Sequence, residues 1–555
     1  MQPPAVLPSS IVVPDFILRS SSYLWYYCQN AVNAIPGSSY VVDYVKRSHQ
    51  QDPYRTIVEV FLIIYGIIYF LRNPRKQGVQ EGPKMSTKEV DALLDEWQPE
   101  PLAQDASTVE WRTKKIPVVL NSSSGSHVDV VRNDGAERYS DVLNCASNNF
   151  LQLSCEPSVI KIAKDTIQNY GVGACGPAGF YGNQDVHNHL EYDLARFFGT
   201  ENAVLYGQDF CIAASVIPAF TKRGDVIVAD NKCSVSLQNA LQLSRSTVYY
   251  FDHNDTEALE ELLQQLQERD LKEKLPALPR KFIITEGLFH NSGDIPPLPK
   301  LVELKRKYKY RLLVDETFSL GVLGATGRGI TEYFNMPRQE SVDITIGSMA
   351  TALGSSGGFV LGDNSMSLHQ RIGSHAYTFS ASLPAFTVTT ASEVLRRLDE
   401  DNSIVQRLRL LSNQMHEFFS QDKELQPLIE VTSDKDSCVL HFRLTEDMRF
   451  KKFHYTEESL FEEISAMHTK YLTNKHIESY ESEEKFLQQI VDYALKEYNV
   501  LISRNTFVLK HETLPVTPSL KVCCGAQMAD QDLFRACDGV KTAILSVVNT
   551  TQETA

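Results

Sequence analysis

Short apolar runs rich in β-branched residues recur through the middle of the chain, at Ala203–Tyr206, Asp225–Ala229, Thr247–Phe251, Lys281–Thr285, Leu312–Asp315, Asp343–Ile346 and Gly358–Leu361. Segments of helical period, such as Glu257–Glu268 and Leu298–Tyr308, separate most of them. This alternation predicts an α/β domain with a mostly parallel sheet covered on both faces. Ligands in such a sheet gather at the carboxyl ends of the strands. Past Pro384 the pattern changes. A long helix over Thr387–Phe419 leads into a smaller α+β region, with strands near Cys438–Leu444 and Leu501–Lys510 and a last helix near Gln531–Val548. The stretch Phe450–Glu484 is charged and helix-prone without a clear apolar stripe, the pattern of a surface insertion. No internal repeat is visible.

The N-terminal part follows another pattern. Ile57–Leu71 is apolar apart from Glu59, with Arg55 before it and Arg72, Arg75 and Lys76 after it. Its fifteen residues would span roughly 22 Å as a helix, short of the ~30 Å hydrocarbon core unless Tyr54, Thr56 and snorkelling arginines extend it. It reads as one membrane anchor or as a buried core helix. The anchor is favoured because the segment lies outside the α/β pattern and follows an aromatic stretch, Phe16–Tyr44, suited to a membrane interface. It begins too late, and lacks a small-residue cleavage site, for a removed signal peptide. The basic residues after it favour a cytosolic main domain. Asn73–Glu110 is polar and proline-bearing, with one acidic helix expected over Ser86–Trp97. The expected division is therefore 1–52 membrane-interface segment, 53–73 transmembrane helix and 74–143 linker and N-terminal arm. A large domain over 144–385 and a C-terminal small domain over 386–555, with its insertion near 450–484, complete it.

A formal net charge of −15 argues against nucleic acid as a partner, since phosphate binding needs a basic face. The ten cysteines form no CxxC pair and no Cys/His cluster of zinc spacing, so no metal site is expected. Scattered free thiols suit a reducing cytosolic face.

Chemistry concentrates in two glycine-rich segments. DITIGSMATALGSSGGFVLGD (Asp343–Asp363) reads as a strand, a glycine turn and a second strand, and LLVDETFSLGVLGATGRG (Leu312–Gly329) as a strand ending in an acid. Together with Asn169–Phe210, the KRGD turn and strand Lys222–Ala229, and TEGLFHNSGDIPPL (Thr285–Leu298), they resemble the α-oxoamine synthases. These are fold-type-I pyridoxal-phosphate (PLP) enzymes that condense an amino acid with an acyl-CoA and release CO2. The resemblance covers roughly Asn144 to Val548. With the N-terminal segment added, it is to the lysine-lacking subunits of eukaryotic serine palmitoyltransferases, the fungal ones in particular.

Carried over residue by residue, the resemblance shows what is missing. Aligned on Gly347 and Gly354, the Schiff-base lysine position is Thr351, and no lysine occurs between Lys309 and Lys423. A hydroxyl cannot form an imine. Asp315 matches the acid that keeps the pyridine nitrogen protonated and is read as a remnant. Phe318 stands where a histidine would meet the ring hydroxyl, Ser234 where a histidine would stack on the ring, and Lys521 where an arginine would grip the amino-acid carboxylate. The chain is therefore expected to hold no PLP and no catalytic residue of its own, the cofactor being bound by a partner's lysine.

The resemblance also implies active sites at a dimer interface. Cys175 and Gly176, in GACGPAG, would shape the partner's pocket; a small buried thiol or a reactive one are the alternatives for Cys175. Ser380, in YTFSASL (Tyr377–Leu383), matches a strand hydroxyl that reaches the neighbour's cofactor phosphate, or is an ordinary strand residue. His187 and Glu191, spaced i, i+4, read as a catalytic pair or, preferably, a surface or interface hydrogen bond. The implied partners are a lysine-bearing catalytic subunit in a heterodimer, a small activating subunit, Orm-family regulators and the endoplasmic reticulum membrane. The implied activity is condensation of L-serine with palmitoyl-CoA to 3-ketodihydrosphinganine. Competing expectations are a scaffold that lends no residue to an active site, and a homodimeric acyltransferase using Thr351 or another group without PLP.

Overall fold

The computed structural model describes residues 52–72, 85–97, 106–120, 125–273, 279–469, 477–506, 512–514 and 516–553, with 39–40, 43–44, 47 and 50. The aromatic stretch Phe16–Tyr44 and parts of the linker therefore lie largely outside the described residues. Contacts divide the chain into two units, Met1–Leu102 and Ala103–Ala555.

In the first unit, Pro53–Arg72 is one helix of 20 residues. Pro53 suits its first turn, and the Asn73-Pro74 dipeptide stops it. Within this unit Phe61, Leu62, Ile63, Ile64, Ile67 and Ile68 are exposed. No helix among the described residues is long and apolar enough to cross a membrane. The helix expected over Ser86–Trp97 forms at Thr87–Glu96. Ser86 caps it, its Oγ accepting from the Glu89 N–H while Glu89 Oε2 accepts from the Ser86 N–H at 2.7 Å, a reciprocal capping box.

In the second unit the helix Ala106–Lys114 leads into antiparallel strands β1 (Val118–Leu120), β2 (His127–Arg132) and β3 (Glu137–Asn144). Then come β4 (Asn202–Tyr206), β5 (Val226–Asp230), β6 (Thr247–Phe251), β7 (Lys281–Glu286), β8 (Arg311–Asp315), β9 (Ile344–Ser348) and β10 (Gly358–Gly362). They form one seven-stranded sheet in the order β4-β10-β9-β8-β7-β5-β6. Only β10 runs antiparallel to its neighbours β9 and β4. Strands β5 and β9 are buried at every position, because helices cover both faces; hence the continuous apolar run Val226–Ala229 in β5.

The C-terminal region adds β11 (Ile429–Val431), β12 (Val439–Leu444), β13 (Val500–Leu501), β14 (Ser503–Arg504) and β15 (Leu520–Cys523). A four-stranded sheet has the order β11-β12-β15-β14, while β13 pairs in parallel with β3. The chain thus changes sheets at Ile502, so the expected strand Leu501–Lys510 is two short ones, with 507–511 outside the described residues. The single helix expected over Thr387–Phe419 is two, Ala385–Glu400 and Ser403–Gln421. Asp401 breaks it by accepting from the Ser403 N–H at 2.9 Å and hydroxyl at 3.0 Å, a local bond that competes with the helix.

The stretch Phe450–Glu484 also carries more core than its pattern suggested. It contributes to the helices Glu446–Phe453, Glu457–Thr469 and Glu478–Tyr498. Tyr455, Leu460, Ile464, Ile477 and Tyr480 pack together with Val516. Because these residues are shared among short elements, no one helix shows a full stripe.

Candidate functional site

A cavity of about 390 Å3 opens beside the carboxyl ends of β7, β8 and β9, against the C-terminal sheet. It brings together all five positions singled out in the sequence: Asp315, Phe318, Thr351, Ser234 and Lys521 line it. Asp315 ends β8, where its Oδ1 accepts from the Thr317 N–H at 2.9 Å and hydroxyl at 2.6 Å. Thr351 follows the turn after β9, and its hydroxyl donates to the Thr317 carbonyl at 2.8 Å. Phe318 is buried between Phe150 (5.7 Å between centroids) and His290 (4.8 Å), with the Lys521 ammonium 5.2 Å from its ring centroid. Lys521 Nζ donates to Asn148 Oδ1 at 2.9 Å. Ser234 precedes the helix Val235–Ser244, and its N–H donates to Glu286 Oε1 at 2.6 Å.

These residues do not fit a PLP imine. The lysine position holds a hydroxyl engaged with backbone, and the two histidine positions hold a phenyl ring and a serine. Only the acid remains, and it is turned to neighbouring residues of its own loop.

Several cavity residues were not singled out in the sequence. Glu286 and His290 stand inside TEGLFHNSGDIPPL, but only the tertiary fold aims them inward. Glu286 Oε2 accepts from the His290 N–H at 2.8 Å. Burial pushes the Glu286 carboxyl well above the usual range, and the charge of Asp315 adds to this. Burial raises Asp315 too, against the Thr317 hydrogen bonds, with Glu316 and Asp209 adding to the rise. His290 is driven down to about 4 by burial and by the Lys521 charge. His441, fully buried in β12 opposite Lys521, is held neutral by the same two causes.

The loop that carries His290 is fastened from behind by His253. Its Nδ1 meets Asp230 Oδ1 at 2.8 Å and its Nε2 meets Asp294 Oδ2 at 2.5 Å. Burial opposes the imidazolium, but the two carboxylates outweigh it and raise the pKa to about 9. A pKa raised on folding from 6.5 adds stability that is full below about pH 6.5 and lost as pH rises through about 9. His253→Gln should cost about 2–3 kcal/mol at pH 6 and much less at about pH 10. Urea unfolding of both proteins at the two pH values measures this.

Cys175, Gly176 and Ser380 do not line the cavity. Cys175 is exposed at φ +55°, which excludes the buried-thiol reading; its flanking glycines suggested tight packing, but the chain turns outward there. Gly176 O accepts from the Ser382 N–H at 2.9 Å, and a Cβ on Gly182 would lie 1.9 Å from that oxygen. Tyr377–Leu383 is not a strand. Its first three residues close the helix His375–Phe379, Ser380 is exposed just past the end, and only Ala381 bridges, to Pro177. Tyr377 prefers the helix because its ring is buried against Tyr206. His187 and Glu191 are neither a pair nor superficial. Both are buried: His187 Nδ1 accepts from the Gln184 N–H and its Nε2 meets the Leu383 carbonyl at 2.9 Å, while Glu191 binds Arg371 at 2.6 Å. Their burial follows from the helix Asp185–Phe198 packing against β4. Around the Cys175 loop, Val172, Phe180, Tyr181, Ile372 and Phe379 are exposed, with the Phe180 and Phe379 rings 6.5 Å apart.

The family model for aminotransferase class I and II matches residues 140–540. Serine palmitoyltransferase 1 of Saccharomyces cerevisiae is 60% identical over 547 residues, 98% of each chain. Serine palmitoyltransferase 1 of Dictyostelium discoideum is 34% identical over 484 residues, 86% of this chain and 93% of the relative. Among solved structures, a serine palmitoyltransferase from Sphingomonas wittichii matches with a TM-score of 0.63 at 19% identity, covering 84% of this chain and 99% of that one; it shows the shared fold. With the glycine floor, the seven-stranded sheet and these relatives in agreement, the chain belongs to the aminotransferase class I and II family, fold-type-I PLP transferases, and within it to the serine palmitoyltransferase 1 group.

Proposed function

We propose that this chain is the non-catalytic but required subunit of a serine palmitoyltransferase. It pairs with a homologous subunit whose lysine holds PLP, and that pair condenses L-serine with palmitoyl-CoA to 3-ketodihydrosphinganine, the first step of sphingolipid synthesis. The observation that carries this reading is Thr351, set between Gly347 and Gly354 at the lysine position with its hydroxyl engaged by the Thr317 carbonyl. The exposed apolar residues around Cys175 support a partner surface there. In this reading the chain's own residues act by shape. Gly176 and Gly182 let the loop fold back on itself, and Cys175 at its tip borders the partner's pocket. The scaffold reading, in which the chain lends no residue, draws support from Ser380, which sits at a helix end and not on a strand.

The helix Pro53–Arg72, with its outward Phe61, Leu62, Ile63 and Ile64, is proposed to hold the complex at the endoplasmic reticulum membrane. A long-chain product, poorly soluble in water, gives that location a physical reason. The small activating subunit and Orm-family regulators are proposed to meet this N-terminal part.

The test is reconstitution. The chain alone should show no serine- and palmitoyl-CoA-dependent CoA release, and addition of the lysine-bearing subunit should restore it. Thr351→Lys should leave the isolated chain inactive, because Phe318 and Ser234 still stand at the histidine positions. Activity of the isolated wild-type chain would overturn the proposal.

A further inference from the structure

Among the described residues, none fills the cavity at the lysine position. About 390 Å3 remains, within the size range of small-molecule sites. Phe210, Ile212, Leu288 and Ile346 are among its apolar lining residues. Four carboxyls line it, Asp209, Glu286, Asp315 and Glu512, and the first three have no lysine or arginine nitrogen within 4 Å among the described residues. Asp209 is met by the Ser348 hydroxyl at 2.9 Å and Glu286 by two backbone N–H groups. Asp315 differs from both. It is nine-tenths buried, both bonds from Thr317 go to Oδ1, and among the described residues nothing donates to Oδ2.

The cavity's lysine does not supply the missing charge. Lys521 Nζ is spent on Asn148 and lies over the Phe318 ring, and Arg504 is paired with Glu484 at 2.6 Å. A buried acid without a cation is costly and responds by holding its proton. Asp315 and Glu286 do this. A cation that enters with its own apolar body would relieve the cost and cover apolar lining at once.

We propose that this cavity is a binding site for a small organic ammonium compound, its charged nitrogen at Asp315 Oδ2 and its apolar body against Phe210, Ile212, Leu288 and Ile346. The inference rests on the reading that this chain holds no PLP. The ligand is not a substrate of this chain, which has no group here to react with it.

The probe is N,N-dimethylphenethylamine, a tertiary amine that cannot form an imine with the partner's cofactor aldehyde. Calorimetric binding to the purified two-subunit complex should be saturable, whereas 3-phenylpropionate and 2-phenylethanol should bind at least about tenfold more weakly. Asp315→Asn keeps the Thr317 bonds and should weaken amine binding at least about tenfold. A second measurement needs no variant. Binding to the wild-type complex should strengthen from about pH 5 to about pH 8 as the raised carboxyls ionise while the amine stays protonated. Asp209, Glu316, His290, Lys521, Arg504 and Glu512 are the other titratable or charged groups at or beside the cavity. Equal binding of the alcohol, a flat pH profile, or binding indifferent to Asp315→Asn would each overturn the proposal. Added PLP separates the two readings. If it displaces the amine from wild type and from a complex whose partner lacks its lysine, the cofactor-free reading fails; without displacement, a failed amine titration sinks the ligand proposal alone.

Discussion

Cys175→Trp in the assembled complex is expected to lower turnover about tenfold or to change the choice between serine and alanine, while the two subunits still co-purify. The side chain is exposed in the isolated chain, so an indole there should leave folding within about 1 kcal/mol. Cysteine already carries a Cβ at this positive φ, so tryptophan adds only the strain that its greater bulk brings there. Any loss must therefore arise where a second protein covers the loop. Overpacking a closed interface costs about 1–3 kcal/mol, and about 1.4 kcal/mol is a factor of ten in rate. Steady-state kinetics with both amino acids, beside a pull-down of the pair, checks it. Unchanged rate and selectivity would favour a scaffold that lends no residue.

Arg449→Met is expected to destabilise the C-terminal region by about 3–5 kcal/mol. Arg449 and Glu483 are both buried, with Arg449 Nε 3.1 Å from Glu483 Oε2, and the Tyr455 hydroxyl donates to the same carboxylate. Burial already lifts the Glu483 carboxyl above its usual range. Removing the guanidinium leaves that acid buried with only a phenol for company. The double variant Arg449→Met/Glu483→Leu should recover most of the loss, because it leaves no uncompensated charge. Thermal unfolding of the wild type, the single variant and the double variant decides it; a single variant as stable as wild type would show that the pair carries no weight.

The central sheet was legible because its strands are buried on both faces. Such strands are written largely as apolar runs, and each of the seven expected runs overlaps one of β4 to β10, with Asp225 and Asp343 falling one residue before β5 and β9. The C-terminal region was less legible, since its boundaries are set by single polar side chains. Asp401 breaks a helix whose apolar period continues past it, and the chain changes sheets at Ile502 inside one apolar run. At the site, Thr351, Phe318, Ser234, Asp315 and Lys521 could be located from glycine spacing and resemblance, and one cavity gathers them. Glu286 and His290 could not, because their position depends on how the loop after β7 meets β12 and β15. The buried-thiol alternative for Cys175 and the surface reading of His187 and Glu191 failed for one shared reason: spacing along the chain does not report which side of a loop or helix another segment covers.

The most direct test of the division of labour is to reduce the purified complex with borohydride and map the pyridoxyl label by peptide mass spectrometry. A stoichiometric pyridoxyl-lysine confined to the partner subunit is the expected result. A stoichiometric pyridoxyl-lysine on this chain would contradict the account.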